Sequence, residues 1–455
     1  MTVRPLTLSD AALAYGGTLI YPDCRFSAVS TDTRALGEGD LFVALKGEHF
    51  DAHDFLESAA LDACGLVVER PDKRLNLPQW VVPDTTAALA DLGRLARDQF
   101  AGPLVAITGS SGKTTVKEMI AAILSRCGPT HATRGNLNNH IGVPLTLLAL
   151  QRQHKYAVVE MGASGPGEIA YLCDIARPRV GLVNNVMPAH LGGFGSLEAI
   201  AATKGDIYRA LPPTGIAVLN LDEPWCDLWQ REMACSERLT YALTHPDADF
   251  TARFDNGKRG NSGTGVRFTL VTPKGEAPVS LPLPGRHNVA NALAAAACAM
   301  AAGADLEAVV AGLISLDSFG GRMQLRAGRD GIKVIDDTYN ANPGSVKAAI
   351  DVLADQGGET VLVLGEMAEL GTNAARLHNE VGGYARERGI RHLLAVGEHA
   401  RSIVAGFGGG DAYADKAALL DDLLAMLDGD VTVLVKGSRS AAMEDIVNRL
   451  VEGES

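Results

Sequence analysis

The stretch Leu104-Val-Ala-Ile-Thr-Gly-Ser-Ser-Gly-Lys-Thr-Thr115 decides how the chain is read. Its apolar start predicts a buried strand, and Gly109-Ser-Ser-Gly112 predicts a tight turn. Behind the turn, Val116, Met119, Ile120, Ile123 and Leu124 recur at helical spacing. Strand, glycine turn, Lys-Thr and helix together form a phosphate cradle. Glycines let backbone N–H groups approach an anion, and the helix N-terminus adds partial positive charge. Thr108, Gly109, Ser110, Ser111, Gly112, Lys113, Thr114 and Thr115 are therefore the candidate nucleotide-binding residues. Lys113 would reach the terminal phosphates and Thr114 would hold a magnesium ion. The loop is shorter than the usual form, whose first glycine would fall at Ile107. A chance Gly-Lys-Thr is the alternative, and the flanking strand and helix argue against it.

The chain has 455 residues, enough for two to four domains. It is 47% hydrophobic and 21% charged, as in ordinary globular proteins. No apolar run reaches transmembrane length, and no basic-then-apolar leader opens the chain, so a cytoplasmic protein without membrane insertion is expected. The net charge of -13, from 41 basic and 54 acidic residues, argues against a nucleic-acid partner. Seven scattered cysteines without a C-x-x-C pair read as reduced thiols.

Three α/β domains are expected. Residues 1–99 form a small mixed α/β N-terminal domain. Residues 100–316 form a central P-loop ATPase-like parallel sheet with a small β subregion between Tyr241 and Pro284. Residues 317–455 form a Rossmann-like C-terminal domain. In the first domain, Ser30, Thr31 and Arg34 lie in a polar loop suited to a polar ligand or to a solvated turn. In Gly135-Asn-Leu-Asn-Asn139, Asn138 and Asn139 serve either a ligand or a turn. Glu160 ends a strand, where a carboxylate can take a phosphate-bound metal, or it caps the next helix. His190 lies just beyond another strand end, and Lys204 sits on the following helix; spacing leaves both roles open. In Gly285-Arg-His-Asn-Val-Ala-Asn291, Asn288 and Asn291 share a helix face and either read an adenine edge or cap. The loops Asp336 to Pro343, Gly365 to Gly371 and Lys436 to Ser440 each follow a strand, so they should gather at one sheet edge.

Taken in order, these motifs resemble the Mur ligase family, which builds the peptide of the bacterial cell-wall precursor. The likeness is carried by Ser30-Thr-Asp-Thr-Arg34, Thr108 to Thr115, Gly135 to Asn139, Glu160-Met-Gly, Ala189-His-Leu, Lys204-Gly-Asp and Gly285 to Asn288. Asp336 to Pro343, Leu364 to Gly371 and Lys436-Gly-Ser-Arg-Ser440 complete it. The resemblance implies an ADP-forming ligase that joins D-alanyl-D-alanine to UDP-N-acetylmuramoyl-tripeptide, working as a cytoplasmic monomer. It implies ATP and two Mg2+ ions. Lys113, Glu160, His190 and Lys204 would be catalytic. Thr114, Glu160, His190 and a carbamylated Lys204 would hold the metals. His287, Asn288 and Asn291 would face adenine, and Arg322, Asp337 and Asn340 would approach the nucleotide from the third domain. Ser30, Thr31 and Arg34 would lie near the uridine diphosphate, and Asn138 and Asn139 near the muramoyl part. His140 and Asp206 depart from the family pattern, which has an acidic residue and a glutamate there. A folate polyglutamylating ligase, an earlier Mur ligase and a nucleotide-driven motor are the alternatives. The first lacks the Tyr339-Asn-Ala-Asn-Pro343 and Asn136-Leu-Asn-Asn139 signatures.

Overall fold

The computed structural model describes residues 5–47, 49–188, 191–254, 265–316, 320–427 and 429–451. His190 lies outside them. Near the N-terminus, Thr7 caps the helix Leu8–Tyr15 in a reciprocal box. The Thr7 hydroxyl accepts from Asp10 N at 3.0 Å, and the Asp10 carboxylate accepts from Thr7 N at 3.2 Å. A five-stranded sheet follows, in the order Thr18–Ile20, Gln79–Val81, Gly65–Val68, Leu41–Val43, Val29–Ser30. Its first pair is antiparallel and the rest are parallel. The helix Thr85–Gln99 joins two cores. Ala88, Leu89 and Leu92 pack into the first, whereas Ala90 packs into the next.

The strand Leu104–Thr108 occupies the middle of a six-stranded parallel sheet. The order is Glu237–Tyr241, Ile216–Asn220, Val180–Val183, Leu104–Thr108, Tyr156–Glu160, Thr130–Ala132. Its continuous apolar run has a simple cause: both faces of the sheet are covered. Val105 and Ile107 pack on one face with the helices Lys113–Cys127 and Arg286–Ala301. Leu104 and Ala106 pack on the other with Leu172, Ile200 and Trp229. The β subregion expected before Pro284 is a three-stranded antiparallel sheet, Thr251–Arg253, Val266–Thr272 and Gly275–Leu281.

Tyr208 fastens the sheet from within. It is fully buried; its hydroxyl accepts from Val183 N at 2.9 Å and donates to Val218 O at 2.8 Å. Tyr208→Phe leaves both main-chain groups without that partner and is expected to destabilise the protein by about 2 kcal/mol. A lowered urea midpoint checks this.

The third sheet runs Gln324–Ala327, Lys333–Asp337, Val431–Lys436, Glu359–Leu364, His392–Val396, Asp411–Tyr413. Its four inner strands are those expected from the sequence. Those four pair in parallel; both edge strands are additions, and the first of them, Gln324–Ala327, pairs antiparallel. Gln324–Ala327 is half exposed and polar, so it carries no buried-strand pattern. Among the described residues no helix is long and apolar enough to cross a membrane.

Candidate active site

The carboxyl ends of the central strands open on one cavity of about 970 Å³, which is also lined by the third domain. At its floor, Gly112 takes a left-handed φ of 74° directly before the helix Lys113–Cys127. A Cβ there would lie 2.7 Å from Asn184 Nδ2 and 2.8 Å from Asn291 Oδ1, so conformation and space both demand glycine. The loop is held from behind by Asn185. Its carbonyl accepts from Ser110 N at 3.0 Å and its Oδ1 from Ser111 N at 2.8 Å. Those two N–H groups are therefore occupied. The donors left for an anion belong to the first helical turn, Lys113 to Thr115, where no intrahelical carbonyl reaches them. Lys113 Nζ folds back to donate to Gly109 O at 2.8 Å. Burial pushes its pKa down; Glu160 opposes this and Arg322 adds to it. Thr108 stays in the sheet, away from the cavity lining, its buried hydroxyl without a hydrogen-bond partner among the described residues.

Glu160, Thr114 and Asn138 form a small polar knot. Thr114 Oγ1 donates to Glu160 Oε2 at 2.7 Å, and Asn138 Nδ2 donates to Glu160 Oε1 at 2.8 Å. Glu160 is not a helix cap. Asn139 also lines the cavity, but its Oδ1 accepts from Ile141 N and Gly142 N at 3.2 and 2.9 Å, a turn role. Lys204 is 3% exposed and lines the same cavity. Burial, then Lys113, push its pKa down to about 7, against the pull of Glu168. It is thus no solvated surface lysine.

Asn288 and Asn291 line the cavity, and neither caps the helix Arg286–Ala301, whose start has no side-chain cap bond; Asn288 Nδ2 donates instead to Pro284 O at 2.7 Å. His287 lines the cavity too, and burial lowers its pKa, so it is neutral. From the third domain, Arg322 Nη2 donates to Thr114 Oγ1 at 3.0 Å, and its guanidinium lies 3.8 Å from the Tyr339 ring centroid. Asp337 takes a 2.6 Å bond from Lys436 Nζ, which also donates to the Asn340 carbonyl at 2.8 Å. The third domain is therefore closed onto the phosphate loop.

Ser30, Thr31 and Arg34 are not among the residues lining this cavity. Ser30 Oγ donates to Asp32 O at 2.8 Å, and exposed Arg34 pairs with Asp32 at 2.7 Å. That pairing holds the Asp32 carboxyl down at about 2. The turn satisfies itself, as a solvated turn would. The two departures from the family pattern also stay outside the cavity lining: His140 is exposed, and Asp206 pairs with Arg209. Cavity residues missing from the sequence candidates include Asn184, Asn185 and Glu223, while Tyr339 and Lys436 come from loops the sequence singles out without giving either a role. Asn184 and Asn185 follow a strand end, the same signal that singled out Glu160. The pairing of Lys436 with Asp337 becomes legible only once their strands are set in register. Glu223 accepts from Val186 N at 3.2 Å, and burial raises its pKa to about 7.

Comparison with known proteins agrees with this geometry. Residues 107–299 match the Mur ligase middle domain, and residues 321–439 match the Mur ligase glutamate ligase domain. The UDP-N-acetylmuramoyl-tripeptide–D-alanyl-D-alanine ligase of Escherichia coli (strain K12) is 47% identical over 451 residues, covering 98% of each chain. A crystal structure of MurF from Acinetobacter baumannii superposes with a TM-score of 0.92 at 37% identity, covering 99% of each chain. MurF ligase from Thermotoga maritima in complex with ADP superposes at 0.82 with 28% identity, covering 93% of this chain and 96% of that one. Two matched domains, a near-full-length relative and the shared three-domain architecture lead to one conclusion: the chain belongs to the Mur ligase family.

Proposed function

We propose that the protein joins D-alanyl-D-alanine to UDP-N-acetylmuramoyl-tripeptide, converting ATP to ADP and phosphate. The observation that carries this is the full-length likeness to a relative named for that reaction, on a chain whose phosphate loop, Glu160, Lys204 and Arg322 share one cavity. The tripeptide carboxylate attacks the γ-phosphate of ATP, giving an acyl phosphate and ADP. The dipeptide amine then attacks the acyl carbon, and phosphate leaves.

A carboxylate and a triphosphate repel each other, so the site must supply positive charge. Lys113 and Arg322, which both line the cavity, do so. The donor set also fits magnesium: Glu160 and Thr114 already share a hydrogen bond that a cation would replace. Glu160 and Thr114 would hold one ion. Lys204, once carbamylated, and His190 would hold a second. Metal ions held by these residues would supply positive charge to the phosphate oxygens during transfer. A lysine whose pKa is about 7 is half neutral at that pH. Its free amine can attack CO2, losing one proton and becoming the carboxylate a metal needs. His287, Asn288 and Asn291 would face adenine, with Asp337 and Asn340 on the nucleotide's other side. Asn138 and Asn139 would approach the muramoyl part. Ser30, Thr31 and Arg34 would serve the uridine diphosphate from residues 1–99, with 100–316 and 317–455 as the central and closing domains. The enzyme would act as a cytoplasmic monomer.

ADP release with and without each substrate tests this. Release should require both UDP-N-acetylmuramoyl-tripeptide and D-alanyl-D-alanine; hydrolysis indifferent to both would contradict it. Arg322→Ala should lower kcat about 100-fold by removing charge that reaches the phosphates only after closure, an effect read in the same assay.

A further inference from the structure

Asn184 follows the strand Val180–Val183, which neighbours the phosphate-loop strand. It is 3% exposed, and both ends of its amide are engaged. Nδ2 donates to Ser111 O at 3.0 Å and to Asn291 Oδ1 at 3.0 Å, while Oδ1 accepts from the Tyr241 hydroxyl at 3.2 Å. Asn291 Nδ2 in turn donates to Asn288 Oδ1 at 3.1 Å, and Asn288 Nδ2 donates to Pro284 O at 2.7 Å. Three buried amides thus form one head-to-tail chain. Both its ends, Ser111 O and Pro284 O, are main-chain carbonyls that can only accept, so the direction of every amide is fixed. Gly112 sits in the elbow between Asn184 and Asn291, the position where a Cβ has no room.

We propose that Asn184 is a positioning residue of the ligation reaction. It ties the phosphate loop, through Ser111, to the second turn of the helix Arg286–Ala301, through Asn291. A nucleotide spanning the two is then presented in one geometry. The inference rests on ATP occupying this cavity, as proposed above. Buried amide chains strengthen one another in a low dielectric, and a cradle already in place needs no reorganisation during phosphoryl transfer.

Asn184→Asp is nearly isosteric but cannot donate from the Nδ2 position. The Ser111 carbonyl keeps its 3.0 Å bond from Asn185 Nδ2, so the loop retains an anchor. The chain cannot simply reverse. If Asn291 turned to donate to the introduced carboxylate, its oxygen would meet Asn288 Oδ1. If Asn288 turned as well, its oxygen would meet the Pro284 carbonyl.

The test is steady-state kinetics of the full chain. Asn184→Asp should lower kcat about 30-fold while the KM values for UDP-N-acetylmuramoyl-tripeptide and D-alanyl-D-alanine stay within about 2-fold. Asn291→Ala should cost about 10-fold alone but no more than about 2-fold in the Asn184→Asp background, because the same chain is already broken. Unaltered kinetics of Asn184→Asp, or losses that multiply in the double variant, would overturn the proposal. If Asn184→Asp fails to fold, Asn291→Ala decides alone, and normal turnover overturns it. Calorimetric ADP binding to the unaltered enzyme separates the two levels. No binding overturns the nucleotide reading and this proposal with it. Binding together with unaltered Asn184→Asp kinetics overturns this proposal only.

Discussion

Lys113→Ala abolishes turnover, lowering kcat by about 10³-fold or more, and leaves the fold intact. The side chain opens the phosphate-loop helix and, among the described residues, hydrogen-bonds only the Gly109 carbonyl. Burial has pushed its pKa down, so its charge is costly where it stands until an anion arrives. Removing the ammonium therefore takes little from the fold and removes the positive charge that stands at the phosphate loop itself. Turnover by ADP release and the thermal midpoint are the two readouts. An active variant refutes the phosphate role; an inactive variant with an unchanged midpoint agrees with it.

Lys204→Ala loses activity by about 100-fold and regains part of it with acetate or formate, whose carboxylate stands in for the missing carbamate. The pH dependence has a definite sign. Below pH 7 the Lys204 amine is mostly protonated and cannot attack CO2; as pH rises through its pKa of about 7, the neutral fraction grows. At fixed dissolved CO2, activity of the unaltered enzyme should rise from pH 6 to 8, about one unit either side of that pKa. The acetate-rescued variant should lack that limb. Equal pH profiles, or no rescue by any short carboxylic acid, would contradict the carbamate.

The central sheet and its phosphate loop are legible in Leu104 to Thr115 because sheet burial and anion binding both leave local marks: a continuous apolar run, glycines where φ turns positive, and Lys-Thr at a helix start. Glu160 is legible for a related reason, a carboxylate at a strand's end. The role of Lys204 is not. A lysine on a helix reads as solvated, and only the fold shows that it is buried beside Lys113. Asn184 and Asn185 stand at a strand end as Glu160 does, but their bonds to Ser110, Ser111 and Asn291, residues distant in the chain, are not legible from spacing. Arg322 gains its meaning from a contact with Thr114, 208 positions away. The antiparallel edge strand Gln324–Ala327 escapes notice because its alternation, Gln-Leu-Arg-Ala, spans only four residues and holds no buried apolar run. The uridine candidates Ser30, Thr31 and Arg34 are quiet for the opposite reason, since their turn is complete in itself.

The account depends on a carboxylate oxygen attacking the γ-phosphate. The tripeptide substrate labelled with ¹⁸O in its terminal carboxylate, turned over with ATP and D-alanyl-D-alanine, tests this directly by mass analysis of the released phosphate. Transfer through an acyl phosphate delivers one labelled oxygen to each phosphate. Phosphate without label would mean that water attacked ATP, and the proposed chemistry would be wrong.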